Sequence, residues 1–114
     1  MQISQIDIQQ GRIKHFLYKS KVRSALYGSS ADETFFAQGG PMGDWINRIG
    51  NVKYGHLAEM KQLSRINKEL ASHVDQLIFS YKRGRIQEAK DGLAKVDKYS
   101  EEILALLDAM EKMR

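Results

Sequence analysis

Apolar residues recur at helical spacing along most of the chain. From about Asp7 to Tyr27, Ile8, His15, Tyr18, Val22, Ala25 and Leu26 share one face, and Gly28-Ser29-Ser30 ends the pattern, which predicts a first long helix. Ile13, Phe16 and Leu17 widen its apolar arc, so this helix is either more buried than a surface helix needs to be or meets a second subunit. A second long helix is predicted from about Tyr54 to Arg83, with Met60, Leu63, Ile66, Asn67, Leu70, Ala71, Val74, Leu77, Ile78 and Tyr81 on one stripe and Gly84 as its stop. Asn67 is the one polar member of that stripe. From about Arg85 to Met110, Ile86, Ala89, Leu93, Val96, Ser100, Ile103, Leu107 and Met110 alternate steps of three and four, the spacing of a coiled-coil-like seam, broken only by Ser100.

Between the first two helices the periodicity is interrupted. Ser29 to Gly40 reads as a linker with one helical turn at Asp32-Glu33-Thr34-Phe35-Phe36, whose two aromatics must cover something apolar. Pro41 and the glycines around it stop whatever precedes them. Met42, Trp45, Ile46 and Ile49 then recur at i, i+3, i+4, i+7, predicting a short amphipathic helix from Gly43 to Gly50 with Trp45 on its buried face as a plug or lid. Alternation of period two is absent, so no strand is expected. The fold expected is an all-α up-and-down helical bundle of three long helices plus one or two short ones, in one domain spanning residues 1–114.

Composition narrows the function classes. At 114 residues and 42% hydrophobic content the chain can bury a single core without staples, and the absence of Cys removes disulfides and thiolate metal ligands. The N-terminus lacks the basic segment and apolar core of a signal peptide, and no apolar run approaches the roughly 20 residues that span a bilayer, so a cytoplasmic domain without membrane contact is expected. The net charge of +4 comes from 18 basic residues that are scattered; the densest groups, Lys19, Lys21, Arg23 and Lys82, Arg83, Arg85, are not interleaved with exposed aromatics, and no nucleic-acid partner is expected. Asp and Glu are read as solvated-face residues, His56 as a surface residue at a helix start. No nucleophile, base and orienting group occur together and no glycine-rich phosphate loop precedes a helix, so an enzyme is not expected.

His15-Phe16-Leu17-Tyr18-Lys19, the later Leu26 and Gly28, then Met42-Gly43-Asp44-Trp45-Ile46 followed by a long helix and Gly84, resemble the chemoreceptor zinc-binding (CZB) domain. That family's pattern is a His followed three residues on by an aromatic, then a Cys-x-apolar-Gly-x-Trp-apolar motif, then His-x-x-x-His, and the matches span nearly the whole chain. The resemblance implies a helical bundle enclosing one zinc ion on three His and one Cys, in a domain that modulates chemoreceptors or diguanylate cyclases. Here the Cys position falls on Gly40, and ungapped counting from Trp45 puts the His-x-x-x-His pair at Asn67 and Ala71. Of the four ligands only His15 remains.

The expectation is therefore a degenerate member: a regulatory or sensory helical domain that has given up zinc and works through packing, a homodimer and a signalling output domain or protein. The former site is expected to be a structural core of His15, Gly40, Asn67, Ala71 and Trp45, with His15 hydrogen-bonded to Asn67. Two alternatives stand beside it. A register shifted by two residues would offer His15, Glu69 and His73 as a His₂-carboxylate zinc set. His73, on the flank of the second stripe about 90° from its centre at 100° per residue, would be the phosphoacceptor of a histidine phosphotransfer protein, although the Lys-Gly that usually follows such a His is missing from His73-Val74-Asp75.

Overall fold

Ser4 opens the first helix. Its Oγ accepts the backbone N–H of Asp7 at 3.3 Å, an N-cap that starts α1 (Gln5–Leu26) slightly ahead of the apolar pattern. The structure is a computed structural model that describes residues 3–28 and 32–113; the Ser29-Ser30 part of the expected linker lies outside them. Asp32 caps a single turn, α2 (Glu33–Phe36), by accepting from the N–H groups of Thr34 and Phe35. Phe35 and Phe36 are half-buried as expected, Phe36 meeting Tyr18 edge-on at 5.9 Å between ring centres.

The chain then turns through three successive residues with positive φ, Gln38, Gly39 and Gly40, before a composite arm that runs to Tyr54. The arm comprises α3 (Gly40–Trp45), a wider π-helical turn (Ile46–Gly50) and α4 (Asn51–Tyr54). It is longer at both ends than the expected Gly43–Gly50 helix. Pro41 sits in its first turn, where a missing N–H costs nothing, so the arm begins around the proline rather than at Gly43. Gly50 keeps helical dihedrals and serves as space: a Cβ there would stand 2.7 Å from Met60 Cε and 3.1 Å from the Trp45 ring.

The second long helix, α5 (Ala58–Lys82), starts after a break at residues 55–57, because Tyr54 belongs to the arm. The last predicted helix is divided into α6 (Ile86–Asp91) and α7 (Leu93–Glu111). Gly92 lies at the junction, where a Cβ would fall 2.2 Å from Leu77 Cδ2, so the chain passes this close to α5 only because residue 92 is Gly. Among the described residues there is no strand, and the fold is an all-α compact domain in which α1, α5 and α7 form the body and the arm supplies the fourth helical segment. No helix of the described residues is long and apolar enough to cross a membrane.

The core draws on every long element: Ile8, Val22 and Leu26 of α1, Met42 and Trp45 of the arm, Leu63, Leu70 and Val74 of α5, and Val96, Ile103 and Leu107 of α7. The seam residues of the last helix are buried apart from Ile86. Trp45 is 2% exposed, its ring lying where a Cβ on Gly11 would come within 3.1 Å, so helix α1 approaches the arm closely only because residue 11 is Gly. Ile6, Ile13, Phe16 and Leu17, by contrast, are exposed: the wide apolar arc of α1 is not absorbed by the chain's own core.

Trp45→Ala is expected to cost about 3–5 kcal/mol through the cavity it leaves among α1, α5 and the arm. Urea unfolding at neutral pH checks this; a loss under about 1 kcal/mol would mean that the arm repacks without its anchor.

Candidate functional site

The Gly39–Gly40 turn is where separate stretches of the sequence meet. A Cβ on Gly40 would fall 2.7 Å from Tyr18 Cδ1 and 3.1 Å from the Phe35 carbonyl oxygen, and Gly40 has φ 64° and ψ −151°, a combination that L side chains rarely adopt. Tyr18 thus occupies the space that a side chain at residue 40 would need. Gly39 faces α5 instead: a Cβ there would stand 3.3 Å from Asn67 Nδ2 and 3.8 Å from Ala71 Cβ. The ungapped register places Asn67 and Ala71 together opposite the turn, but the residue looking at them is Gly39, one position before the expected Gly40.

His15 is fully buried, and its partner is not Asn67. Its Nε2 lies 2.6 Å from Ser100 Oγ, joining α1 to α7, while Nδ1 is buried without a hydrogen-bond partner among the described residues. The expected His15–Asn67 hydrogen bond is therefore replaced, and the reason is geometric: Ser100, the single polar interruption of the last seam, is the polar group that α7 presents to α1. Asn67, 4% exposed, keeps a buried Oδ1 with no partner among the described residues. Burial, and secondarily the charge of Lys19, push the His15 imidazole down to about 4, so it is neutral at physiological pH.

His73 and Glu69 have other neighbours. The half-buried His73 ring donates from Nε2 to the Gly92 carbonyl at 3.0 Å and lies 6.2 Å from the Tyr99 ring centre, so one ring nitrogen is engaged in holding the α6–α7 junction to α5. Glu69 pairs with Arg65 on the surface at 3.4 Å. Among the described residues no group of three or more His, Cys, Asp or Glu stands close enough to share a metal ion. The shifted zinc set of His15, Glu69 and His73 does not converge. At the ligand positions the chain offers one imidazole, already paired with Ser100, and one amide, with Gly40 and Ala71 contributing nothing, and these residues do not fit a zinc ion that takes four nitrogen, sulfur or carboxylate ligands.

One polar cluster was not anticipated. Asp7, expected to be solvated, is buried: Tyr54 Oη donates to its Oδ2 at 2.6 Å, Lys53 Nζ lies 2.9 Å from the same oxygen, and its backbone carbonyl accepts the Trp45 Nε1–H at 3.1 Å. Tyr54 Oη also accepts the Ser4 N–H at 3.0 Å. Burial acts to raise the Asp7 carboxyl, but the bonds from Tyr54 and Lys53 and the Lys53 charge outweigh it and hold the group below its ordinary value. The signal available in the sequence was weak, a lone acid in the first turn of an apolar helix and a Tyr 47 residues later.

Beside the turn, a cleft of about 490 Å³ opens between Gln38, Gly39 and Gly43 on one wall and Asn67, Lys68 and Asp75 of α5 on the other. Compared with models of known protein families, with curated proteins and with solved structures, the chain matches none.

The buried His15 makes stability fall on acidification. Above pH 6.5 both folded and unfolded chains hold a neutral imidazole; between about 6.5 and about 4 the unfolded chain takes a proton that the folded chain refuses. Stability is therefore expected to drop by about 2 kcal/mol between pH 7 and pH 5 on account of this residue. Urea unfolding of wild type and His15→Leu at both pH values checks it: the variant should show the smaller drop, and equal drops would assign the acid sensitivity to other groups.

Proposed function

We propose that the chain is a regulatory helical domain of CZB type that works without zinc, in the cytoplasm, by passing a packing change to a signalling output of chemoreceptor or diguanylate cyclase kind. The observation that supports this reading is the Gly39–Gly40 turn: Tyr18, at the family's aromatic position, packs on Gly40, at its Cys position, while Asn67 and Ala71, at its His-x-x-x-His positions, face the adjacent Gly39. Three stretches of the motif thus meet at one turn, on residues other than His, Cys or a carboxylate. A hydrolytic role gains no support, because the His15–Ser100 pair is sealed from solvent, and a phosphotransfer role gains none, because the His73 Nε2–H is held by the Gly92 carbonyl.

The exposed α1 residues Ile6, Ile13, Phe16 and Leu17 support a homodimer, since an apolar face of this kind on a small domain is covered more readily by a second copy than left to water. Sedimentation at micromolar concentration is expected to show a species heavier than the 13.1 kDa protomer, and Ile13→Lys should return it to that mass. A wild-type protein of protomer mass would remove dimerisation from the proposal.

Function is tested in a chimaera in which this chain replaces the sensor domain of a diguanylate cyclase. Cyclic dinucleotide synthesis should change on insertion of the wild-type domain and differ again for Trp45→Ala; a cyclase indifferent to both would sink the regulatory reading. In the isolated domain, a zinc chelator should leave the melting temperature unchanged. Stoichiometric zinc by native mass spectrometry, with a chelator-induced fall in melting temperature, would overturn the zinc-independent part.

A further inference from the structure

The cleft beside the Gly39–Gly40 turn is lined by a buried amide whose oxygen has no hydrogen-bond partner among the described residues. Asn67 is 4% exposed, lines the cleft, and has an Oδ1 without a partner among the described residues. A buried acceptor left unpaired is costly, so a group in the cleft that draws the amide toward it and satisfies it is favoured. A second amide satisfies it best, because a primary amide offers a donor and an acceptor side by side and a peptide group presents the complementary pair. The χ2 torsion of Asn is broad, so either end of its amide can be turned toward such a partner.

The rest of the lining narrows the class. One cation, Lys68, and one anion, Asp75, border the cleft, so it favours neither a dianion nor a polycation. No aromatic residue lines it, which removes the stacking platform that a nucleobase or aromatic ligand would use. Its apolar floor is small, with Ile46 and Ala71 beside the glycines. Lys68 and Asp75 are two helical turns apart on α5, about 10 Å along the axis at 1.5 Å per residue. That separation equals about three residues of extended chain at 3.3–3.6 Å each. Asn67 stands next to the cationic end.

We propose that this cleft binds a short zwitterionic peptide of about three small residues, its ammonium at Asp75, its carboxylate at Lys68 and an inner peptide group on the Asn67 amide. A volume of about 490 Å³ lies within the range of small-ligand sites. Within the regulatory reading the peptide would be the signal, yet the inference stands on the cleft alone. Binding and control of a cyclase are read in separate experiments, so either can fail without the other.

The test is an NMR titration of the full chain with trialanine, with N-acetyl-trialanine amide and free alanine as comparators. Trialanine at millimolar concentration is expected to shift the backbone amides of Gly39, Gly43 and Ser72 and the Asn67 side-chain NH₂. The blocked peptide, lacking both charges, and alanine, too short to span them, should bind at least about tenfold more weakly. Lys68→Gln and Asp75→Asn, both at exposed positions, should each weaken binding about threefold to fivefold, as loss of one exposed ion pair would. Asn67→Leu should abolish it while the fold, checked by its own spectrum and melting temperature, persists. Absence of shifts confined to the cleft, equal binding of the blocked peptide, or binding retained by Asn67→Leu would each overturn the proposal.

Discussion

The carboxylate of Asp7 ties the start of α1 to the end of the arm, and its backbone carbonyl ties the same helical turn to the arm's middle through Trp45. A hydrophobic ring alone can slide or tilt within a core at small cost, whereas the Trp45 N–H must find an acceptor when buried, and only one position of the arm brings it to the Asp7 carbonyl. Tyr54 then closes the opposite end by donating to the Asp7 side chain while accepting from Ser4. The arrangement is demanding. Removal of one partner would leave a charge or a hydroxyl buried without compensation, which is why the arm, though built from three short helical pieces, is held as one unit.

With the arm fixed, the turn that precedes it is fixed as well. Gly39 and Gly40 need positive φ, and each faces a different wall, one Asn67 and Ala71, the other Tyr18. Two buried polar side chains are resolved in different ways. His15 is withdrawn toward Ser100 and sealed in, while Asn67 is left beside open space.

Long-range periodicity made the main helices legible. The stripes on α1, α5 and α7 are the ones buried, and the Trp45 plug sits where its spacing places it, because 3.6-residue repeats report directly which face meets a core. Glycines were read less well. Gly50 looks like a terminator in sequence but acts as space for Met60 and Trp45, whereas Gly92 gave no sign of the break that divides the last helix beside Leu77; both depend on a neighbour remote in the chain. The partner of His15 escaped for the same reason: Ser100 was visible as the polar break in its seam, but nothing in α7 alone says that the break faces residue 15 rather than 67. Asp7 was missed because a single acid in a first helical turn looks the same whether it caps a dipole in water or anchors a buried tyrosine.

Three contacts run in antiparallel order between α1 and α7: Arg12 with Asp108 and Glu111, His15 with Ser100, and Lys19 with Asp97. The outer two are ion pairs at the surface, which re-form with other neighbours if the helices move. The middle one cannot. An axial slip of a single turn, about 5.4 Å, would leave the apolar seam broadly matched, since Leu, Val and Ile positions substitute for one another, but would carry Ser100 away from the imidazole and strand both groups in a dry interior. The pair therefore acts as an index pin between two otherwise smooth rods, and piston-like sliding of α1 on α7 is the one motion this bundle is least able to use.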